Sequence, residues 1–451
     1  MNNKNDASLL LLKKGVWLYF LLIIFEGALR KWVLPGLAAP LLIVRDPIAI
    51  WILFSAWQRG LLSGSGYLTS MVVLGAVGIV TAVLFGHGSI PVAIYGARIW
   101  LIHFPLIFAI GKIFDKDDVL AMGRVLLWIS IPMAILIGLQ FYSPQNAWVN
   151  RGVGGGDVGA GFSGAMGFFR PPGTFSFTTG NSLFFEFTAV YVIYFWLHPK
   201  SVNLLLLTGA SVAVLASIPL SISRGLFFTI VVIIFFAVIA TIQNRKYAGK
   251  MIVAGFIIFV GIAVLSQIST FQTAISAFLL RFSDASVSEG GIQGTLGDRY
   301  LGGMVSAISK SGQQPFFGYG LGMGTNAGAV LLTGKSTFLI SEEEWGRVLG
   351  EMGTLMGLGI IFIRVALSFK LAIHSYIGMK EGEMLPWMLL SLGLLNIPQG
   401  QWAQPTNLGF SVLIGGLIVA AMRERKIDEM ENEPVHSENG KSLEQLKIVP
   451  A

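Results

Sequence analysis

The chain alternates long apolar runs with short polar segments, and this pattern continues along most of its 451 residues. A run of about 20 apolar residues has the length of a helix that crosses the hydrocarbon core of a bilayer. We therefore expect an all-α polytopic integral membrane protein whose single transmembrane domain covers residues 1–425. The pattern predicts about 12 transmembrane helices, at 15–33, 38–57, 67–86, 91–111, 120–142, 181–197, 202–221, 225–243, 251–270, 346–368, 384–399 and 407–422.

Composition supports this class and excludes several others. Hydrophobic residues make up 54% of the chain and charged residues 12%, whereas a soluble domain carries about 25% charged residues. The chain has no cysteine, which excludes disulfides, thiolate nucleophiles and cysteine-ligated metals. Its five histidines are too scattered for a metal motif. We expect neither a metal site nor a cofactor.

Positive charges between the apolar runs predict the orientation. Lysines 13 and 14 precede the first run, and further lysines and arginines recur in every second connection. The positive-inside rule then places both termini in the cytoplasm. The first run also resembles a signal peptide, but Glu26, Arg30 and Lys31 interrupt it, so we interpret it as an anchored helix. The polar tail at 426–451 is predicted to be a disordered cytoplasmic end.

Two long connections fall on the predicted outer side, at 143–180 and at 271–345, the latter being a large outer loop between helices 9 and 10. The outer cations are mostly arginine, which is costly beside a membrane unless it pairs with or binds an anion. The planar guanidinium group of arginine can donate two parallel hydrogen bonds to a phosphate. The sequence shows no basic stripe interleaved with aromatic residues, so no nucleic acid is expected as a partner.

Acidic residues near the spans have simpler explanations than catalysis. Glu26, Asp46 and Glu186 are expected to pair with Arg30, Arg45 or Arg224. The D-x-D spacing that begins at Asp115 matches a metal-bound nucleotide-sugar motif, but it lies in a short inner loop. Helix capping is the favoured interpretation of this motif.

Three segments hold the most informative arginines. In the first, Arg170 is followed by Pro-Pro-Gly-Thr-Phe and then by Asn181 and Ser182, either of which could cap a helix and leave its amides to an anion. A turn with a snorkelling arginine is the alternative. In the second, Arg224 lies in Ser-Arg-Gly between two apolar runs, and a structural ion pair competes with a functional role.

The third segment begins at Gly297-Asp298-Arg299-Tyr300 and continues to a glycine-dense run at 315–324. Such a run permits close approach of backbone to a ligand, although it lacks the ending of a P-loop. Glu342, Glu343 and Glu344 follow at the start of the tenth predicted helix. Glutamates in a first turn are favoured by the helix dipole, yet three in a row exceed what a cap requires.

Taken in order, these segments resemble the O-antigen ligase and O-antigen polymerase superfamily of bacterial membrane glycosyltransferases. The resemblance covers roughly residues 160–365, and the N-terminal third carries no signature of that superfamily. The matching positions are Arg170 with Gly173-Thr174-Phe175 and Asn181, then Ser223-Arg224-Gly225, Arg299, Pro315 with Gly318, Gly320, Gly322 and Gly324, and finally Glu351 and Gly353.

The resemblance implies a lipid-dependent glycosyltransferase (GT-C)-like architecture and a metal-independent, inverting reaction. Oligosaccharide would pass from an undecaprenyl-diphosphate-linked donor to a sugar hydroxyl of a growing glycan on the periplasmic face of the bacterial inner membrane. Arginines would stabilise the leaving diphosphate. Arg170, Arg224 and Arg299 are the first candidates for this role, and Arg281 and Arg98 are weaker ones. Membrane lipid and a chain-length regulator or export complex are the other expected partners.

The general base is left open. Ligases of this superfamily commonly place a histidine before the Glu-x-Gly pattern, but here no histidine lies between residues 199 and 373. Either a carboxylate among Glu342, Glu343 and Glu344 takes the proton, or positioning supplies most of the rate. The missing histidine favours an exopolysaccharide or O-unit polymerase over a ligase. The alternatives are a lipid-linked oligosaccharide transporter or flippase, and a noncatalytic scaffold of a polysaccharide assembly complex.

Overall fold

The structure is a computed structural model that describes residues 2–62, 64–289 and 302–423. This part of the chain is mostly helical, and its short antiparallel ladder joins β1 (Phe162–Ser163) to β2 (Phe169–Arg170). The helices are α1 (Asn2–Ala28), α2 (Arg45–Gln58), α3 (Gly66–Leu84), α4 (Ile90–Arg98), α5 (Phe104–Ile113), α6 (Lys116–Tyr142), α7 (Thr178–Leu197), α8 (Leu204–Leu220), α9 (Arg224–Gln243), α10 (Ala248–Gln267), α11 (Ser269–Glu289), α12 (Gly302–Ser309), α13 (Asn326–Thr333), α14 (Glu344–Lys380), α15 (Met384–Gln399) and α16 (Pro405–Arg423).

The twelve predicted apolar runs are helical over most of their length. Within the described residues, nine helical segments are long and apolar enough to cross a membrane, which supports a multi-pass membrane protein. One of these segments, Ile90–Ile113, joins α4 to α5 through a π-helical turn. Of the other three runs, α8 and α15 are shorter and α7 carries polar residues in its first turns. The count of twelve spans stays a prediction.

The bundle has a buried centre and an exposed apolar periphery. Nearly every residue of α7 is buried, and α15 and α16 pack beside it. On α10, by contrast, Ala254 is buried while Phe256 and Phe259 are 65% and 68% exposed. Exposed phenylalanines suit lipid tails, which are as apolar as the side chains themselves. This contrast is expected of a helical bundle surrounded by lipid.

The two long connections differ in structure. Segment 143–180 contains the β1–β2 ladder and a 3₁₀ turn at Trp148–Asn150, and Trp148 stacks on Trp32 with ring centroids 5.6 Å apart. Segment 271–345 contains most of α11 together with α12 and α13. Arg299 and the tail at 426–451 lie outside the described residues.

Candidate functional site

A cavity of about 490 Å³ lies where four helices begin. Residues from the first turns of α7, α9, α14 and α16 line it, together with residues of α11 and the end of α15. The first turn of a helix carries unpaired backbone N–H groups and the positive end of the helix dipole. Four such ends contribute positive potential to one cavity, whose lining also includes the carboxylates of Glu186, Glu343 and Glu344.

Three of the predicted arginines line this cavity, namely Arg170, Arg224 and Arg281. Arg170 comes from β2, Arg224 from the first residue of α9, and Arg281 from α11. Burial, reinforced by the positive charges of Arg281 and Arg224, lowers the pKa of the Arg170 guanidinium to about 10. Among the described residues, no hydrogen-bond acceptor meets the buried Nε of Arg170. A guanidinium in this setting is stabilised by an anionic ligand.

A strained hairpin presents Arg224. Between α8 and α9, Ile222 has a φ of 47°, which is unusual for a β-branched residue. Ser223 caps α9 by accepting a hydrogen bond from the Leu226 amide, and its hydroxyl also accepts one from Ser182 at 3.1 Å. The hairpin is therefore tied to the first turns of α7.

The start of α7 differs from the predicted capping. The helix begins at Thr178, three residues before the predicted position, so Phe177 is the N-cap and no side chain caps the helix. Asn181 and Ser182 consequently lie within the helix and cap nothing. Both side-chain polar atoms of Asn181 are buried without a hydrogen-bond partner in the described structure. No side chain therefore occupies the backbone amides of the first turn of α7 as a cap.

A buried lysine that was not among the predicted site residues holds the turn after Arg170. Lys31 is fully buried, and its Nζ donates to the carbonyl oxygens of Gly173 at 2.6 Å and Phe175 at 2.8 Å. The Thr174 hydroxyl donates to the carbonyl oxygen of Ile24 at 2.6 Å. The end of the first helix thereby positions the turn that follows Arg170.

The three predicted carboxylates have different environments. Glu342 is exposed and does not line the cavity. Glu343 is exposed and lines it. Glu344 also lines the cavity, but it is buried and accepts hydrogen bonds from Arg347 and Arg364. Of the three, Glu343 combines access to the cavity with an exposed side chain.

Glu344 belongs to a buried charge chain, which consists of Glu344, Arg347, Glu351 and Arg364. Arg347 bridges Glu344 and Glu351 at 2.9 and 2.7 Å, and Arg364 contacts Glu344 at 2.6 Å. Arg364 also donates to the carbonyl oxygen of Gly400, directly after α15. The negative charges of the two carboxylates balance the positive charges of the two guanidinium groups, and buried charges are tolerated when they are paired in this way. The charge chain holds α14 against the α15–α16 connection.

The glycine-dense run packs against the protein itself. The amide of Gly324 donates to the Glu351 carboxylate at 2.8 Å. Gly353 breaks α14 with a φ of 73°, and a side chain there would collide with the carbonyl oxygen of Phe316. These glycines therefore permit close packing of loop and helix, and the run is not part of the cavity lining.

The cavity also contains polar residues that were not among the predicted site residues. Glu186 is buried, lines the cavity and accepts a hydrogen bond from Thr229. Asn396, Gln399 and Asn407 line it as well. The signal that could have identified them is a polar residue inside an apolar run, which in a membrane helix is a functional candidate by default.

Other predicted residues lie elsewhere. Arg98 is not part of the cavity lining and contacts Asp46 at 2.9 Å. The predicted pairing of Glu26 with Arg30 and Arg45 is confirmed, at 3.3 and 3.1 Å. Asp46 has different partners from those predicted, because Arg98 and His103 both reach it.

The D-x-D motif has the predicted structural role. Asp115 and Asp118 form a capping box at the start of α6, and Lys13 pairs with both carboxylates. This arrangement accounts for Asp115 of the motif without a ligand, and Asp117 lies in the first turn of α6, where the helix dipole favours an acidic residue.

Comparison of the chain with protein-family models, with curated proteins and with solved structures finds no match in any of the three.

Proposed function

We propose that this protein is a polysaccharide polymerase or ligase that transfers oligosaccharide from an undecaprenyl-diphosphate carrier to a sugar hydroxyl at the cavity. The cavity would open toward the outer face of the bacterial inner membrane, as the positive-inside pattern predicts. The proposal extends the resemblance of residues 160–365 to the O-antigen ligase and polymerase superfamily.

The observation that carries the proposal is the convergence of Arg170, Arg224 and Arg281 at the starts of four helices. A lipid diphosphate carries two to three negative charges and needs several donors at hydrogen-bond distance. The three guanidinium groups and the uncapped start of α7 provide such donors. A volume of about 490 Å³ lies in the usual range for a small-molecule site.

In the proposed reaction, the acceptor hydroxyl oxygen attacks the anomeric carbon of the donor sugar. A new glycosidic bond forms while the bond between that carbon and the diphosphate oxygen breaks, and the diphosphate leaves with the electron pair. Preorganised guanidinium groups stabilise the charge that develops on the leaving oxygen.

The acceptor's proton passes to the carboxylate of Glu343. This residue is preferred to Glu344 because two arginines and the Trp402 amide already occupy the Glu344 oxygens. These donors occupy the lone pairs that would otherwise receive the acceptor's proton. Glu342 lies outside the cavity lining.

The test compares two arginines that lie in the same connection. Arg170→Ala is expected to lower polymer synthesis by about 100-fold, as loss of a transition-state donor does elsewhere. Arg151→Ala is the matched control, since Arg151 is partly exposed, lies 4.0 Å from Asp157 and is not part of the cavity lining. Polymer would be measured by gel in cells that lack the chromosomal gene and carry either variant.

Normal polymer amount and length with Arg170→Ala would contradict the proposal and favour a noncatalytic scaffold. Vesicles that contain the purified protein distinguish the other alternative. Movement of lipid-linked sugar across the bilayer without extension of the glycan would identify a flippase.

A further inference from the structure

Besides the carboxylates of Glu186, Glu343 and Glu344, the lining of the cavity contains arginines and uncharged amides, and these two groups come from different elements. The arginines come from β2, α9 and α11, whereas the amides come from the end of α15 and the start of α16. We propose that the amide part, defined here as Asn396, Gln399 and Asn407, is a binding subsite for the hydroxyl groups of a sugar. This inference rests on the proposed function, because it assigns the glycan of the donor to these residues.

The chemistry of the amide part suits a sugar. A carboxamide offers two N–H donors and one acceptor oxygen, so it matches hydroxyl groups, which both donate and accept. Asn407 is 9% exposed, and its Oδ1 has no hydrogen-bond partner among the described residues. A buried acceptor without a partner is costly, and a ligand hydroxyl at this position would satisfy it.

Trp345 adds an aromatic surface to the same part of the cavity. Its indole nitrogen donates to the carbonyl oxygen of Pro398 at 3.0 Å, so its only polar side-chain atom is already satisfied. Trp345 lines the cavity and is only partly buried. A ring held in this way offers an apolar surface to the C–H groups of a pyranose.

The end of α15 that carries Gln399 is held by hydrogen bonds to its backbone, and such preorganisation lowers the entropic cost of binding. Arg364 fixes the carbonyl oxygens of Ile397 and Gly400, on either side of Gln399, at 2.8 and 2.9 Å. Arg364 is itself held by Glu344 at 2.6 Å. The buried charge chain therefore holds the backbone on both sides of Gln399 in place.

The experiment measures the affinity of the full-length protein in lipid nanodiscs for two probes. These are undecaprenyl diphosphate and undecaprenyl diphosphate that carries one N-acetylglucosamine. We expect the wild-type protein to bind the sugar-bearing lipid about tenfold more tightly, the gain from one or two net hydrogen bonds. Gln399→Leu and Asn407→Leu are each expected to reduce this ratio toward one and to leave the affinity for the sugar-free lipid within about twofold.

Gln243→Leu, at the far end of α9, is the matched amide control and should keep the wild-type ratio. Because Gln399 is partly exposed, its substitution tests the subsite even where Asn407→Leu disturbs folding. A wild-type ratio of one, or equal weakening of both probes by Gln399→Leu, would overturn the subsite. Failure of the wild-type protein to bind either lipid would instead contradict the proposed function.

Discussion

Individual residues of the cavity carry charges and polar atoms that the fold does not fully satisfy. Arg170 has a buried Nε without an acceptor in the described structure, and Asn407 has a buried Oδ1 in the same condition. Arg347, by comparison, pairs with Glu344 at 2.9 Å and with Glu351 at 2.7 Å. Buried polar atoms without a partner lower the stability of the ligand-free protein, and a ligand that supplies the partner is bound more tightly. Breaking an ion pair that is already formed destabilises the fold.

Substitution at Arg170 should therefore separate binding from stability. Arg170→Gln is expected to weaken pyrophosphate binding by about 10- to 100-fold, the value of a hydrogen bond to a charged group. The Tm of the Arg170→Gln variant should stay at or above that of the wild-type protein, because the substitution removes the buried and poorly stabilised charge of the Arg170 guanidinium. Arg45→Gln should lower Tm, since Glu26 loses a charged partner. Thermal unfolding and pyrophosphate titration in detergent measure both effects; a large loss of Tm with Arg170→Gln would contradict this assignment.

The pH dependence of binding follows from the same arginine. Burial and the neighbouring charges of Arg281 and Arg224 lower the pKa of Arg170 to about 10, so the ligand-free protein loses this charge as pH rises through that value. A bound anion favours the charged form and raises the pKa, so binding above pH 10 requires uptake of a proton. Pyrophosphate affinity should be independent of this group at about pH 7 to 9 and fall by up to about tenfold per pH unit above 10. This fall in pyrophosphate affinity above pH 10 should be absent in the Arg170→Gln variant. An identical dependence of affinity on pH in the wild-type and variant proteins would contradict the prediction.

Among the secondary-structure elements, helix starts and the turns that precede them assemble the site. The turn after Arg170 contacts the end of the first helix through Lys31 and Thr174. The hairpin before α9 is held by the hydrogen bond between Ser182 and Ser223. Each of these arginine-bearing segments is thus placed by a contact with an element other than its own.

Lys31 provides a test of this arrangement. Lys31→Met removes the donors to the carbonyl oxygens of Gly173 and Phe175, and the turn after Arg170 loses its attachment. We expect pyrophosphate affinity to fall by about tenfold, the value of one to two hydrogen bonds. Proteolysis within 171–176 should become faster. Lys335→Met, at an exposed position, is the control, and wild-type affinity in Lys31→Met would show that the turn is positioned by other contacts.

For the molecule as a whole, orientation in the membrane decides which compartment the cavity serves. The positive-inside rule assigns segment 143–180 to the outside, and it assigns the connection between α9 and α10 together with the first turn of α10 to the cytoplasm. In the structure, Val158 is 93% exposed, and a Cβ added at Gly249 would have no neighbour within 4 Å. Both positions accept a reporter group without disturbing the bundle.

The absence of native cysteine makes this orientation directly measurable. A membrane-impermeant maleimide should label Val158→Cys in intact cells and should label Gly249→Cys only after the membrane is permeabilised. The physical reason is that a bilayer blocks a charged reagent. Labelling of Gly249→Cys in intact cells would reverse the predicted topology and would move the cavity to the cytoplasmic face.

The helical membrane class of this protein and the positions of the helices in its twelve apolar runs could be predicted from the residue pattern alone, whereas α11, α12 and α13 were not predicted. Apolar runs must become helices in a bilayer, because lipid offers no hydrogen bonds to the backbone. For the same reason, the arginines that interrupt this pattern could be recognised as candidates before any contact was known.

Which of these candidates meet depends on the packing of helices that are distant in sequence. Arg170 and Arg281 line one cavity, while Arg98 pairs with Asp46. The same packing buries Glu344 among arginines and brings the amides of α15 and α16 into the cavity. Local residue patterns fix how a segment folds, but the partner of a buried polar group is fixed by long-range contacts.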